Sequence, residues 1–101
     1  MGMKSVTIQV AEPEEMDIGK AVVIERVKRG ISQGELCRRT LMERSYLSRI
    51  ERGKVPHPRI EQISRIAVAL GMTTEELITR AKEIVQERKE LGREELKSAI
   101  M

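Results

Sequence analysis

Aromatic residues are almost absent from the sequence, which contains one tyrosine and neither phenylalanine nor tryptophan. The core must therefore be packed from aliphatic side chains and methionine. Long apolar runs are also absent: none approaches the ~18 residues of a membrane-spanning helix, and the N-terminus lacks the apolar segment of a secretory signal. These absences predict a protein with no membrane partner and a cytoplasmic location.

Cysteine and histidine occur once each. One cysteine excludes an internal disulfide, and one of each excludes a self-contained Cys/His zinc site. The chain also has no nucleophile–base pattern and no phosphate-cradling glycine loop, so we expect no enzyme, no metal and no cofactor. Cys37 is interpreted as a small buried residue, with a redox-sensitive thiol as the alternative. His57, in a stiff proline loop, is interpreted as a phosphate contact or an exposed bystander.

The 101 residues suffice for one small domain with appendages, and their charge is unevenly distributed. Residues 1–17 hold one lysine against four acidic residues, and residues 81–101 hold five of each sign. Residues 18–80 hold thirteen Lys/Arg against seven acidic residues. The positive excess in the middle of the chain is what a phosphate-neutralising surface requires; a solvated run of charges is the alternative interpretation.

The segment from Ser32 to Gly53 predicts two short helices joined by a tight connection. Ser32 and Glu35 form a capping-box pattern, in which the serine oxygen accepts an amide hydrogen bond and the glutamate side chain reaches back. This first helix is expected to run to about Thr40, with Leu36 and Cys37 buried. The second helix is expected over about Glu43 to Arg52.

Helical geometry divides the second helix into two sides, because each residue turns by ~100°. Leu47, Ile50 and Glu51 fall within one arc. Polar and basic residues occupy the opposite arc or its first turn: Arg44, Ser45, Ser48, Arg49 and Arg52. An arginine guanidinium can donate hydrogen bonds to both major-groove acceptors of guanine, and serine hydroxyls can hydrogen-bond to bases or phosphates. The buried arc fixes the angle at which the helix projects. The pattern predicts a helix that reads the major groove of double-stranded DNA.

The order of residues from Ile18 to Ile78 resembles the phage-repressor-type helix-turn-helix family, the Cro and repressor proteins, also called the xenobiotic-response-element family. The resemblance rests on Arg26, on the proline loop, and on the segments IGKAV, GISQGEL, YLSRIERGK and IAVALGMTTEEL. It implies an all-α, five-helix lambda-repressor-like DNA-binding domain over residues 17–79, from a prokaryotic or phage source.

The resemblance also assigns roles to single residues. It places Arg44, Ser45 and Arg49 at base-reading positions, and Ser48 on the same side of the helix joins them. Residues with roles at the DNA backbone are Gln33, which also braces a recognition-helix side chain, Arg52, Lys54 and Tyr46, whose hydroxyl turns toward a phosphate. The resemblance further pairs Arg26 with Glu51 in a partly buried ion pair that ties the first helix to the end of the recognition helix.

Three positions depart from the family pattern. Leu41 stands where a glycine is usual, so either a leucine takes a left-handed conformation, at a cost of about 1 kcal/mol, or the turn has a different shape. Glu43 replaces a Ser or Thr cap; it can still accept an amide hydrogen bond but would lie close to phosphates. Glu25 stands at a usually apolar position of the first helix, which is predicted over about Asp17 to Arg29.

Both ends of the chain extend beyond this domain. In residues 1–16, the alternating run Ser5–Val10 predicts a short strand before an acidic linker; the strand is either frayed or paired with a second subunit. In residues 80–101, Ala81, Ile84 and Leu91 continue the apolar stripe of the fifth helix. Gly92 is predicted to interrupt it, with a last short helix following in which Leu96 points inward. A second copy would bury this extension, or it folds back on the first helix.

We therefore expect a transcriptional regulator that acts as a homodimer on a two-fold-symmetric DNA operator: a repressor that blocks polymerase, with an activator that recruits it as the other possibility. An antitoxin whose extra segments wrap a toxin partner is the first alternative. The second is a protein-interaction module that has lost DNA binding.

Overall fold

The computed structural model describes residues 15–55 and 57–100. Over these residues the chain forms five α-helices and no strand: α1 (Ile18–Lys28), α2 (Gln33–Thr40), α3 (Arg44–Glu51), α4 (Ile60–Ala69) and α5 (Thr74–Ile100). The predicted all-α, five-helix lambda-repressor-like fold is confirmed. The predicted strand Ser5–Val10 lies outside the described residues.

Local hydrogen bonds set the helix starts. Asp17 accepts from an amide in the first turn of α1, and the Ser32 hydroxyl accepts from the Glu35 amide at 3.0 Å. Thr73 and Glu76 exchange two such bonds, of 2.8 and 3.0 Å, as a complete capping box at the start of α5. These bonds satisfy amides that have no partner within the helix.

The core is aliphatic, as the composition requires. Leu36, Leu47, Ile66 and Leu77 are fully buried at its centre. The other buried apolar residues come from α1, α3, α4, α5 and two connecting segments: Ile18, Ala21, Val22, Ile31, Ile50, Ile63, Ala67, Leu70, Met72 and Ala81. Cys37, predicted to be buried, is half-buried with a free thiol and packs against this core. In the described part of the chain, no helix is both long and apolar enough to cross a bilayer.

The predicted break at Gly92 is wrong. Helix α5 runs through it for 27 residues, because glycine in an exposed helix costs only about 1 kcal/mol relative to alanine and its neighbours are strong helix formers. Leu96, predicted to point inward, is 63% exposed, and Leu91 is 60% exposed. Because α5 is continuous through Gly92, no separate last helix folds back on α1 for the residues described; the extension contacts the start of α1 instead, with Arg88 2.8 Å from Asp17.

Leu41 ends α2 in the left-handed conformation, with φ 59°. This confirms the first of the two alternatives for the turn. The side chain is 88% exposed, so it contributes little packing to offset the strain. The turn therefore has the left-handed shape that the family pattern predicts, at the cost of a strained leucine backbone.

Leu41→Gly is expected to stabilise the domain by about 0.5–1 kcal/mol. Glycine removes a left-handed backbone strain of about 1–2 kcal/mol from the folded state. It also raises the conformational entropy of the unfolded chain, which offsets part of this stabilisation. Chemical denaturation measures the difference. Leu41→Ala is the matched control, since it removes the leucine side chain but keeps the strain; equal stabilisation by both variants would contradict the conformational explanation.

Glu25 is the charged residue buried most deeply on α1, with 4% exposure. Its carboxylate lies 2.8 Å from Arg29 Nη1 and 3.5 Å from Lys28 Nζ. Burial raises its pKa, but the hydrogen bond from Arg29 and the charges of Lys28 and Arg29 outweigh burial, and the pKa is lowered from its ordinary value of 4.5. Basic neighbours thus allow a carboxylate at a position where the family pattern is apolar.

Glu25→Gln is expected to lower the free energy of unfolding by about 1.5 kcal/mol at pH 7, because a charge-assisted hydrogen bond is lost. Since the folded-state pKa is depressed, the contribution of Glu25 is complete above pH 4.5 and is lost as the pH falls through the folded-state value. The difference between wild type and variant should therefore shrink on acidification. A difference independent of pH, measured by denaturation at several pH values, would contradict this account.

Candidate nucleic-acid interface

Helix α3 is anchored in the core along one side only. Leu47 and Ile50 have 0% and 1% exposure, whereas Arg44, Ser45 and Arg49 on the other side are exposed and Ser48 is half-buried. The apolar side fixes how far the helix projects and at what angle. The structure therefore presents the predicted base-reading side chains together on one surface.

The basic side chains of this surface are not neutralised within the described residues. No carboxylate in this part of the chain pairs with Arg44, Arg49, Arg52 or Lys54. Arg44 Nε donates to Gln33 Oε1 and Arg52 Nε to the Ser48 carbonyl, both at a long 3.4 Å. Weak, neutral contacts of this kind orient a guanidinium and leave most of its five donors available.

Glu51 links the end of α3 to two other helices. Its carboxylate forms a two-pronged ion pair with Arg26 of α1, with both N–O distances 3.0 Å, and accepts from Gln33 Nε2 of α2 at 3.0 Å. The two charged side chains are 15% and 6% exposed. Arg26 also donates to the Ile31 carbonyl. This cluster holds α3 at a defined orientation to the body.

Gln33 extends the cluster to the exposed surface. Its Nε2 bonds Glu51 while its Oε1 accepts from Arg44. The expected brace on a recognition-helix side chain is thus directed at Arg44. Since an amide nitrogen carries two hydrogens, one donor remains for a phosphate.

Gly19 was missed by reasoning from the sequence, where it appeared only within the segment IGKAV. A Cβ built on it would collide with the backbone carbonyl oxygen of Ile50 and lie 3.0 Å from that of Glu51. The start of α1 is therefore pressed directly onto the last turn of α3. The one available signal was a glycine inside an otherwise helical pattern.

Three predicted contacts differ in detail. The Glu35 side chain was predicted to reach back to the cap; instead it pairs with Arg38 at 2.9 Å and Arg39 at 3.4 Å. The hydrogen bond from Arg38 lowers the pKa of Glu35. Glu43 makes no side-chain capping bond. Tyr46 donates its only hydroxyl hydrogen to Gln62 Oε1 at 2.8 Å, so a bond from Tyr46 to phosphate would require this contact to break.

His57, interpreted from the sequence as a phosphate contact or an exposed bystander, is exposed in the loop between α3 and α4. Within the described residues, His, Cys, Asp and Glu side chains form no group that could hold a metal ion.

The fold and the exposed basic side of α3 together define a helix-turn-helix protein.

The helix-turn-helix domain model matches residues 24–79, more than half of the chain, and the chain belongs to this family. This protein is therefore a DNA-binding regulator of transcription and not an enzyme.

Several solved structures of regulators are similar to the chain. The clp gene regulator ClgR from C. glutamicum is 26% identical, with 65% of this chain and 84% of that chain covered and a TM-score of 0.61. SinR, the master regulator for biofilm formation, solved in complex with DNA, is 30% identical, with 59% and 95% covered and a TM-score of 0.56. The restriction-modification controller protein C.AhdI from Aeromonas hydrophila is 29% identical, with 61% and 92% covered and a TM-score of 0.57. A search of curated proteins finds no match.

Proposed function

We propose that this protein is a sequence-specific repressor that inserts α3 into the major groove of double-stranded DNA and blocks transcription by occupying its operator. The observation that carries the proposal is the exposed, unneutralised basic side of α3 opposite its buried Leu47 and Ile50. The SinR structure, solved in complex with DNA, supports it, since SinR shares this fold.

The proposed contacts fall into two groups. Arg44, Ser45, Ser48 and Arg49 read bases, because they share the exposed side of α3. Residues that contact the DNA backbone are Gln33, Arg52, Lys54 and Tyr46, the last after its bond to Gln62 is broken. Base contacts give specificity, whereas backbone contacts set affinity and its dependence on salt.

The two groups predict different mutant behaviour. Arg49→Ala is expected to cost about 1–3 kcal/mol on the specific site and to relax preference at one base pair. Arg52→Ala is expected to weaken binding to all sequences alike and to lower the slope of log K against log salt by about one. Binding titrations at several salt concentrations, on the specific site and on random DNA, measure both.

Arg93→Ala is the matched control for these variants, since Arg93 is an exposed arginine on α5. It should bind both DNAs like the wild type. Equal losses on specific and random DNA for Arg49→Ala would contradict its role as a base reader.

We further propose that the protein binds as a homodimer to a two-fold-symmetric operator, with half-sites about 34 Å apart so that both recognition helices enter the same face of the duplex. Selection of bound sequences from random DNA tests this. A palindromic consensus with half-sites about ten base pairs apart is expected, whereas a single non-repeated site would contradict it.

The two alternatives from the sequence make different predictions. An antitoxin would co-purify with a second chain that covers its extra segments. A protein-interaction module without DNA binding would give no electrophoretic shift that resists competitor DNA. The unneutralised arginines on α3 count against the second alternative, because such a module would have no use for them.

A further inference from the structure

The outer half of α5 is uncovered in the described part of the chain. The hydrophobic core ends on this helix at the partly buried Ile84, and every residue from Gln86 to Ala99 is exposed. A helical segment as short as this outer half is marginally stable in water when nothing packs against it, and Gly92 weakens it further. A surface that covers this half would therefore stabilise it.

The exposed half continues the buried face of α5. Leu77 and Ala81 are fully buried, and the alternating steps of four and three residues that join them to Ile84 continue outward. We call the four residues at these positions the α5 seam: Ile84, Arg88, Leu91 and Glu95. Spacing of this kind keeps side chains on one side of a helix and is the pattern by which two helices pack together.

The seam carries opposite charges one heptad apart. Arg88 and Glu95 flank Leu91, so an antiparallel copy of the helix can set Arg88 against Glu95 twice, once on each side of the two-fold axis. A parallel copy would set Arg88 against Arg88 and Glu95 against Glu95. Like charges in direct opposition disfavour that arrangement. The charge pattern therefore selects an antiparallel partner of the same sequence.

An open apolar groove adjoins the inner end of the seam. It has a volume of about 740 Å³ and is lined by residues of α1, α3, α4 and α5 and of the segments before α1 and α4, among them Ile18, Ile60, Ile78 and Val85. Ile60 is 58% exposed at its edge. Arg88 also lines the groove, so a helix packed along the seam reaches this edge of the groove.

We propose that a second copy of this chain packs its α5 antiparallel along the α5 seam, with its last residues at the edge of the apolar groove formed by Val85 and Arg88. Arg88 then faces Glu95 of the partner subunit, and Leu91 lies beside the partner subunit's Leu91. In the same register the partner's Ala99 lies beside Ile84, the residue before the groove-lining Val85. Arg88 already bonds Asp17 at 2.8 Å, which orients its guanidinium, and further donors remain for a second carboxylate.

Disulfide trapping tests the register in the full chain. Cys37→Ala removes the native thiol, and Leu91→Cys or Ser98→Cys, one heptad further along the same side of the helix, then supplies a single new one. At position 91 the two thiols face each other within disulfide range, whereas at position 98 they are about 20 Å apart along antiparallel helices. Mild oxidation should give at least about tenfold more covalent dimer for Leu91→Cys than for Ser98→Cys.

Other outcomes overturn the proposal. Equal trapping at both positions indicates a parallel pair. Trapping at neither position indicates that another occupant, such as the residues before Glu15 or a different protein, covers the groove. Trapping at position 98 alone indicates another register.

Charge reversal gives a second readout without new thiols. Glu95→Arg should weaken dimerisation on the order of tenfold in sedimentation equilibrium, because it faces the partner's Arg88. Glu94→Arg makes the same charge change off the seam and should leave the dimer unaffected; equal effects of both variants overturn the proposal.

This inference deepens the homodimer of the proposed function, and its failure can be told apart from failure of DNA recognition. Trapping and sedimentation are performed without DNA. If the protein binds a selected operator but gives no trapping at position 91, only the proposed α5 interface is contradicted. If it is trapped as expected but prefers no DNA sequence, only the proposed operator recognition is contradicted.

Discussion

Arg26→Ala is expected to lower the free energy of unfolding by about 3–4 kcal/mol. The variant leaves the Glu51 carboxylate, which is 6% exposed, without its two-pronged partner. Uncompensated burial of a charge is costly, although the intact pair itself adds little net stability. Arg26 itself makes none of the proposed DNA contacts, so DNA binding by the folded fraction should be affected much less than stability. Thermal or chemical denaturation, with DNA binding measured well below the melting temperature, checks both statements.

A double variant separates an orphaned charge from simple loss of packing. Arg26→Met combined with Glu51→Met removes both charges and keeps most of the side-chain volume. It should be more stable than Arg26→Ala alone, because no buried charge is left unpaired. A melting temperature for Arg26→Ala equal to that of the wild type would show that the pair does not hold the helices together.

Gly19→Ala is expected to destabilise the domain by about 3 kcal/mol, at the upper end of the range for overpacking. The added methyl group would collide with the carbonyl oxygen of Ile50. A backbone atom cannot move aside by changing rotamer, so α1 must separate from α3 or the end of α3 must shift. Because the last turn of α3 also carries Arg49, we expect specific DNA binding to weaken even where the protein is folded.

Gly34→Ala is the matched control for this variant. Gly34 also lies inside a helix, but a Cβ there would meet its nearest atoms at 3.9 Å, an ordinary contact. Alanine has the higher helix propensity, so this variant should be neutral or more stable by up to about 1 kcal/mol. Comparable destabilisation by both substitutions would mean that glycine is required for another reason than the close approach of α1 to α3.

Local signals account for the parts of the fold that were predicted correctly. The capping residue Ser32 acts within one turn of chain, so its hydrogen bond follows from neighbouring residues alone. The two sides of α3 follow from helical periodicity in the same way. The left-handed Leu41 was one of two predicted alternatives, because the family pattern marks the position and only the backbone geometry could choose between them.

Competition between partners explains the details that were wrong. Glu35 had two local choices, the cap amide and the arginines one turn ahead, and the ion pairs formed instead. Gly92 is compatible with a helix end or with a continuing helix, and the strong helix formers around it decided for continuation. In each case two arrangements of similar free energy were open, and a short sequence pattern cannot rank them.

By itself, the sequence determined that this protein is an aliphatic helical domain with a basic, helix-turn-helix centre, because periodicity, capping and charge act over a few residues. Tertiary structure alone decided that Gly19 touches the end of α3, that Glu51 joins three helices, and that α5 leaves an apolar groove beside its charged seam. Those features depend on distances between segments far apart in the chain, which no local pattern encodes.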